Sequence, residues 1–305
     1  MKPSALNPRR LARVLAAGLL LAVAAAPLSA DPALAANKPP AATTDKARVV
    51  TVGGGVTEIA YALGAGAQVV GVDTSSLYPK AATKLPQVGY QRMLSAEGVL
   101  ALRPTLALVS EDAGPPAAIA QLKTAGVKLV SVTNDHSLTA ARERITTVAT
   151  ALGREAEGKR LIATLDREAQ AALAKAKAMT ARPKVLFIFA HGQNAVNVGG
   201  KGTAADEMIR LAGGTNALSE FGGYKPLTAE AVVKAAPDVI LITAIGASSL
   251  GGVDAILQLP GVSLTPAGKN RRVVAMDDVE LLTFGPRTGR AIAQLNAGLI
   301  GGMAK

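Results

Sequence analysis

Ser95-Ala-Glu97-Gly-Val-Leu-Ala-Leu-Arg-Pro104-Thr-Leu-Ala-Leu-Val109 aligns without a gap on Thr228-Ala-Glu230-Ala-Val-Val-Lys-Ala-Ala-Pro237-Asp-Val-Ile-Leu-Ile242. Hydroxyl, alanine, glutamate, proline and the following apolar run all coincide. Ser95 and Thr228 are good N-caps, because a side-chain oxygen there satisfies an orphan backbone N–H. The glutamate two residues on falls in a first helical turn, where the helix dipole favours negative charge. Each helix must stop before its proline. The continuous apolar run beyond reads as a strand buried on both faces, as in a parallel sheet. Just before each copy stands a tyrosine with a cation: Tyr90 with Arg92, and Tyr224 with Lys225. The repeat predicts two similar lobes, each presenting one glutamate at a helix start and one tyrosine-plus-cation loop. The plain alternative for each glutamate is a dipole partner with no other role.

Working outward from the first copy, 48–52 and 69–72 read as strands flanking a helix over 56–63. Strands follow at 106–110 and 128–132, with a helix over 116–124 between them. This β-α-β-loop-α-β-α-β order predicts a parallel sheet with helices on both faces. From Leu138 to Met179 the pattern is helical, with one break near Gly153. Its second part carries Leu161, Ile162, Leu165, Ala169, Leu173 and Ala176 on one stripe. Such a helix spans about 35 Å and suits a stiff spine between lobes. The second lobe is expected to hold strands at 184–189, 239–243 and 272–275, and helices at 204–212, 228–236, 253–257 and 289–300. Thr203 is the expected cap of the first of these helices.

The N-terminus reads as an export signal over residues 1–35. Lys2, Arg9, Arg10 and Arg13 precede an apolar run from Leu15 to Ala26, and Ala33-Leu34-Ala35 is a small-x-small cleavage site. Residues 36–47, with Pro39-Pro40, are expected to be a disordered lead-in. The first lobe then covers 48–153, the linking helix 154–179 and the second lobe 180–305.

The chain of 305 residues has no cysteine. Disulfides, thiolate metal sites and cysteine nucleophiles are therefore excluded, and a cysteine-linked lipid anchor is not expected. The net charge is +11, or +8 without residues 1–35. The cations are scattered rather than clustered with aromatics, so nucleic acid is not the expected partner and an anionic ligand is the better use of the charge. Aromatics make up only 3%, so a tyrosine in a loop stands out.

Gly53-Gly54-Gly55 lacks the spacing of a dinucleotide loop and reads as a tight turn, with anion cradling as the alternative. Gly199-Gly200-Lys201-Gly202-Thr203 fails the phosphate-loop pattern. With only His136 and His191, a cage of several histidines is excluded. No serine lies in a nucleophile elbow, and no residue set argues for an enzyme. His136 reads as a loop cap. Tyr90 is the sharper candidate, placed where open α/β sheets bind ligands. A guanidinium beside a phenol favours its anionic form. A phenolate is a hard oxygen donor suited to ferric iron, with precedent in haem proteins. A packing role is the alternative.

Gly89-Tyr90-Gln-Arg92-Met-Leu-Ser-Ala-Glu97-Gly-Val-Leu-Ala-Leu-Arg-Pro104 and Gly223-Tyr224-Lys-Pro-Leu-Thr-Ala-Glu230-Ala resemble periplasmic haem-binding proteins of ABC haem importers. The likeness runs from Arg48 to the closing helix. The wider pattern is shared with cobalamin and siderophore binders, which leaves a ferric siderophore or cobalamin as the alternative ligand. The resemblance implies two Rossmann-like lobes with parallel sheets joined by one long helix, the class III periplasmic binding protein architecture. It implies a monomer in the periplasm, without catalysis, that carries haem as transported ligand to a permease with its ATPase. Tyr90 would hold the iron and Arg92 would support that phenolate or the propionates, with Tyr224 and Lys225 adding contacts from the second lobe. His191 is a possible second axial ligand, although its loop lacks the methionines expected in relatives with histidine ligation. Glu97 and Glu230 would dock on arginines of the permease.

Overall fold

The computed structural model describes residues 47–190, 192 and 195–301. The export signal, most of the lead-in and His191 lie outside the described residues.

The first lobe runs β1 (Val49–Val52), α1 (Gly54–Ala62), β2 (Val69–Val72), β3 (Gly89–Tyr90), β4 (Met93–Leu94), α2 (Ala96–Ala101), β5 (Leu106–Ser110), α3 (Pro116–Thr124) and β6 (Lys128–Val132). Its main sheet is wholly parallel, in the order β2-β1-β5-β6. Alternate residues of one strand feed two different cores. Val49, Leu106 and Leu108 pack with Ile59, Ile145 and Leu165. Val50, Ala107 and Val109 pack with Val99 and Leu122 on the other face. Burial on both faces is why these strands read as unbroken apolar runs.

Two helices follow, α4 (Leu138–Leu152) and α5 (Glu155–Lys177). Gly153, with φ 63°, makes the break between them in the left-handed region that glycine tolerates. Leu165, Ala169, Ala172 and Ala176 form the buried stripe of α5. Leu165 belongs to a core of the first lobe and Ala172 to a core of the second, so this helix is the spine of both.

The second lobe contains β7 (Lys184–Ala190), β8 (Val196–Gly199), α6 (Ala204–Leu211), β9 (Thr215–Asn216), β10 (Tyr224–Pro226), α7 (Ala229–Ala235), β11 (Val239–Thr243), α8 (Ala244–Leu250), α9 (Val253–Leu257), α10 (Pro266–Lys269), β12 (Val273–Met276), α11 (Asp278–Leu282) and α12 (Thr288–Ile300). Its sheet runs β10-β8-β7-β11-β12, with β9 also paired to β7. Here the sequence expectation needs correcting, because the sheet is mixed. β7 to β12 are parallel through β11, but β8 and β10 are antiparallel additions. The chain returns from β7 to β8 through a loop too short for a crossover helix, which leaves only antiparallel pairing. Gly289 lets α12 cross α5 at close range: a Cβ there would lie 2.6 Å from the backbone nitrogen of Ala169.

The repeat that opened the sequence reading survives in detail. Ser95 Oγ accepts from Gly98 N at 3.0 Å, and Thr228 Oγ1 accepts from Ala231 N at 3.3 Å. Both helices then end in the left-handed region at matching residues, Arg103 and Ala236, each with φ 46°. Pro104 and Pro237 come next, where a right-handed conformation of the preceding residue is disfavoured.

Candidate functional site: the cleft between the lobes

A cavity of about 710 Å³ opens between the lobes, within the range of roughly 300–1,000 Å³ usual for small-molecule sites. Its walls come from the carboxyl ends of β1, β5 and β6 on one side and from β7, β8, β10 and α11 on the other. This is where open α/β sheets bind ligands.

Tyr90 enters the cavity from a hairpin in which it pairs with Met93, leaving Gln91-Arg92 as the turn. Gly89 makes the approach possible: its φ is 100°, and a Cβ would lie 2.7 Å from the Met93 carbonyl oxygen. The hairpin is tied down by Leu94 N to Gly114 O at 2.7 Å and by Gly114 N to Gln91 O at 2.9 Å. Tyr90 is 41% exposed and lines the cavity. Arg92 Nη1 donates to the Tyr90 hydroxyl at 3.4 Å, while Arg92 Nη2 donates to Asp112 Oδ2 at 2.5 Å. Ser110 Oγ donates to Asp112 Oδ1 at 2.6 Å. Burial alone would weaken the Arg92 charge. The hydrogen bond and charge of Asp112 outweigh it, and the guanidinium holds its proton more tightly than usual. Asp112 had no signal in the sequence beyond lying two residues past a strand serine.

Tyr224 faces the cavity from the opposite wall, its ring 5.5 Å from that of Phe189 and 6.5 Å from that of Phe187. Burial pushes its phenol pKa up, and the charge of Arg92 pulls the other way. The cation that follows Tyr224 does not share its side. Lys225 Nζ lies 4.7 Å from the centre of the Phe221 ring and is not among the residues that line the cavity. Within β10 the reason is strand alternation, since neighbours one apart point to opposite faces; Arg92 instead meets Tyr90 from the hairpin turn.

His136 lines the cavity rather than capping a loop; the cap of α4 is Ser137, whose Oγ accepts from Ala140 N at 3.0 Å. The His136 ring sits 5.7 Å from that of Phe284, and its buried Nδ1 has no hydrogen-bond partner among the described residues. Burial lowers its pKa and the charge of Arg144 adds to the effect, both favouring the neutral imidazole. Arg144 and Asp278 also border the cavity. Burial raises the Asp278 pKa, against the bonds from Ile245 N and the Thr243 side chain.

The glycine run is not a separate turn. Gly54 and Gly55 are the first residues of α1. A Cβ on Gly54 would lie 2.6 Å from the Ser75 carbonyl oxygen, and one on Gly55 would lie 3.0 Å from Thr283 Cβ of the other lobe. These glycines allow close approach. Asp73 anchors the same corner, accepting from Gly53 N at 2.8 Å and from Ser76 Oγ at 2.7 Å.

Glu97 and Glu230 sit in the first turns of α2 and α7. Both are exposed, and neither forms an ion pair with another described residue.

Residues 49–280 match the family model described as periplasmic binding protein. The periplasmic heme-binding protein RhuT from Roseiflexus sp. RS-1, in apo form, is 45% identical, with a TM-score of 0.82 over 85% of this chain and 100% of its own. The periplasmic heme-binding protein BhuT in complex with two hemes is 46% identical, with a TM-score of 0.80 over 85% of this chain and 99% of its own. An uncharacterized ABC transporter substrate-binding lipoprotein, YvrC of Bacillus subtilis, is 32% identical over 244 residues, 78% of this chain and 75% of its length. More distant is a vitamin B12-binding protein of Vibrio parahaemolyticus, 27% identical over 251 residues, 81% of this chain and 87% of its length.

Proposed function

The chain belongs to the periplasmic binding protein family, and we propose that it captures haem in the interlobe cleft and delivers it to an ABC importer. The observation that carries this reading is the Ser110–Asp112–Arg92–Tyr90 chain of hydrogen bonds at the cleft wall. It ends on the hydroxyl of Tyr90, a partly exposed cavity residue, with a guanidinium donor behind it. A phenol oxygen is a hard donor, and a tyrosine oxygen binds ferric haem iron. Tyr90 is the axial ligand in this reading, Arg92 its support and Asp112 the residue that fixes Arg92. Tyr224, backed by Phe189 and Phe187, offers an aromatic wall to the flat face of a porphyrin. His136 and His191 are the two histidines available as a second axial ligand. Lys225 serves Phe221 and the strand rather than the cargo.

Glu97 and Glu230, exposed on matching helices of the two lobes, dock on basic residues of the permease, and its ATPase drives release. The protein acts outside the cytoplasmic membrane as a monomeric carrier and turns nothing over. The heme-binding proteins RhuT and BhuT, both above 40% identity, favour haem; the vitamin B12-binding relatives favour cobalamin as the second reading.

Titration of the purified protein with hemin separates the two. Haem held by Tyr90 gives a Soret band with a phenolate-to-iron charge-transfer feature. Tight cobalamin binding with no spectral change on hemin addition would establish the second reading instead.

A further inference from the structure

Arg144 lies in the middle of α4, is only 3% exposed and borders the cleft. Its Nε donates to Thr133 O at 2.7 Å and its Nη2 to Asp135 O at 2.6 Å. Its Nη1 donates across the lobe boundary to Phe284 O at 2.7 Å and to Thr283 O. All four acceptors are backbone carbonyls, and no carboxylate among the described residues forms an ion pair with it. A guanidinium carries five N–H groups, so one on Nη2 has no acceptor among the described residues. Burying a charge without a counter-ion is costly. Burial lowers the Arg144 pKa to about 10.

Asp135 and Asp112 act on Arg144 through space and partly offset its burial, but neither forms an ion pair with it. Arg92, the other guanidinium on the cavity wall, is matched by Asp112. His136, its pKa lowered by burial, is not a carboxylate and offers no negative charge. The carboxylate of Asp278 is engaged by Ile245 N at 3.1 Å. Arg144 is therefore the guanidinium on the cleft wall with no carboxylate in direct contact among the described residues.

We propose that Arg144 is the anion-recognising residue of the cleft and that its free Nη2 N–H takes a carboxylate of the bound cargo. This rests on the haem reading, since haem carries two propionates. It orients the porphyrin with one acid group inward, toward the junction of the lobes, and it selects acids over their neutral analogues.

The test compares hemin with hemin dimethyl ester by absorption titration of the full chain, as wild type, Arg144→Met and Arg92→Met. A charge-assisted hydrogen bond is worth about ten- to a hundredfold in affinity. The wild type should prefer the diacid by that factor. Arg144→Met should shrink the preference to less than about threefold, and Arg92→Met should weaken both ligands while keeping it. A residue that only braces the lobes would weaken acid and ester alike, so an unchanged ratio in Arg144→Met overturns the proposal. So does a wild type without preference. Should Arg144→Met fail to fold, a crystal structure of the wild-type hemin complex decides. A propionate oxygen within about 3.2 Å of Arg144 Nη2 supports the proposal, and both propionates at the mouth overturn it. A wild type that binds neither porphyrin refutes the haem reading itself, a result distinct from binding without preference.

Discussion

Glu58 and Arg287 come from opposite lobes and meet in a buried ion pair, Arg287 Nε to Glu58 Oε1 at 2.5 Å, with their side chains 3% and 13% exposed. Arg287 also holds Glu280 Oε2 at 3.0 Å and Asp277 Oδ1 at 3.1 Å, and its guanidinium lies 3.8 Å from the Tyr78 ring centre. One cation thus serves three carboxylates, and the two ends of the pair are not equivalent. Arg287→Met strands the buried Glu58, while Glu280 keeps Arg290 at 3.3 Å and Asp277 stays half-exposed, and it should cost about 3–5 kcal/mol of stability. Glu58→Gln leaves Arg287 two partners and should cost far less. Burial raises the Glu58 pKa above its ordinary value, more than Arg287 lowers it. The folded state therefore keeps this proton to higher pH than the unfolded chain. The stability Glu58 contributes is full below about 4.5 and is lost as pH rises through the raised value. Denaturant unfolding of both variants across that window checks the sign. Equal losses for the two substitutions would contradict it.

Cation placement at the two tyrosines makes a second prediction. Arg92→Ala removes the donor behind the Tyr90 hydroxyl and should weaken hemin binding by about tenfold or more. Lys225→Ala should leave it within about twofold, because Lys225 sits over Phe221 outside the cavity. Isothermal titration of both variants with hemin decides the matter; a comparable loss in each would return Lys225 to the site.

Much of this was legible in the sequence, and the boundary is physical. Strands such as Leu106–Ser110 and Val239–Thr243 are buried on both faces, so their apolar runs announce them. The break at Gly153 and the caps Ser95, Thr203 and Thr228 are local chemistry and appear where expected. Contacts that exist only once the chain has folded were not legible. Arg144 on an amphipathic helix looks like a solvated charge until the second lobe covers it. Asp112 gains its role from Arg92, 20 residues away. Tyr224 and Lys225 look equivalent to Tyr90 and Arg92 until strand alternation separates them.

Transport should separate from binding at the lobe tips. Reversing charge at both Glu97 and Glu230, each to lysine, leaves the cleft untouched because both side chains are exposed first-turn residues. Hemin affinity should stay unchanged, while uptake into vesicles carrying the importer is abolished. Uptake at wild-type rate by the double variant would remove the two glutamates from the docking surface.

The crossing of α5 and α12 gives a prediction about rigidity. Gly289→Ala places a methyl 2.6 Å from the Ala169 nitrogen and from Glu168 Cβ. Backbone there cannot give way without moving the spine, so stability should fall by about 1–3 kcal/mol. Thermal unfolding reads the loss, and a variant as stable as wild type would mean that the helices separate more easily than their packing implies.

The most direct measurement is the absorption spectrum of hemin added to wild-type protein and to Tyr90→Phe. The account predicts a Soret band with a charge-transfer feature in the wild type, and loss of that feature with weaker binding when the phenol oxygen is removed. Identical spectra and affinities for the two proteins would contradict it.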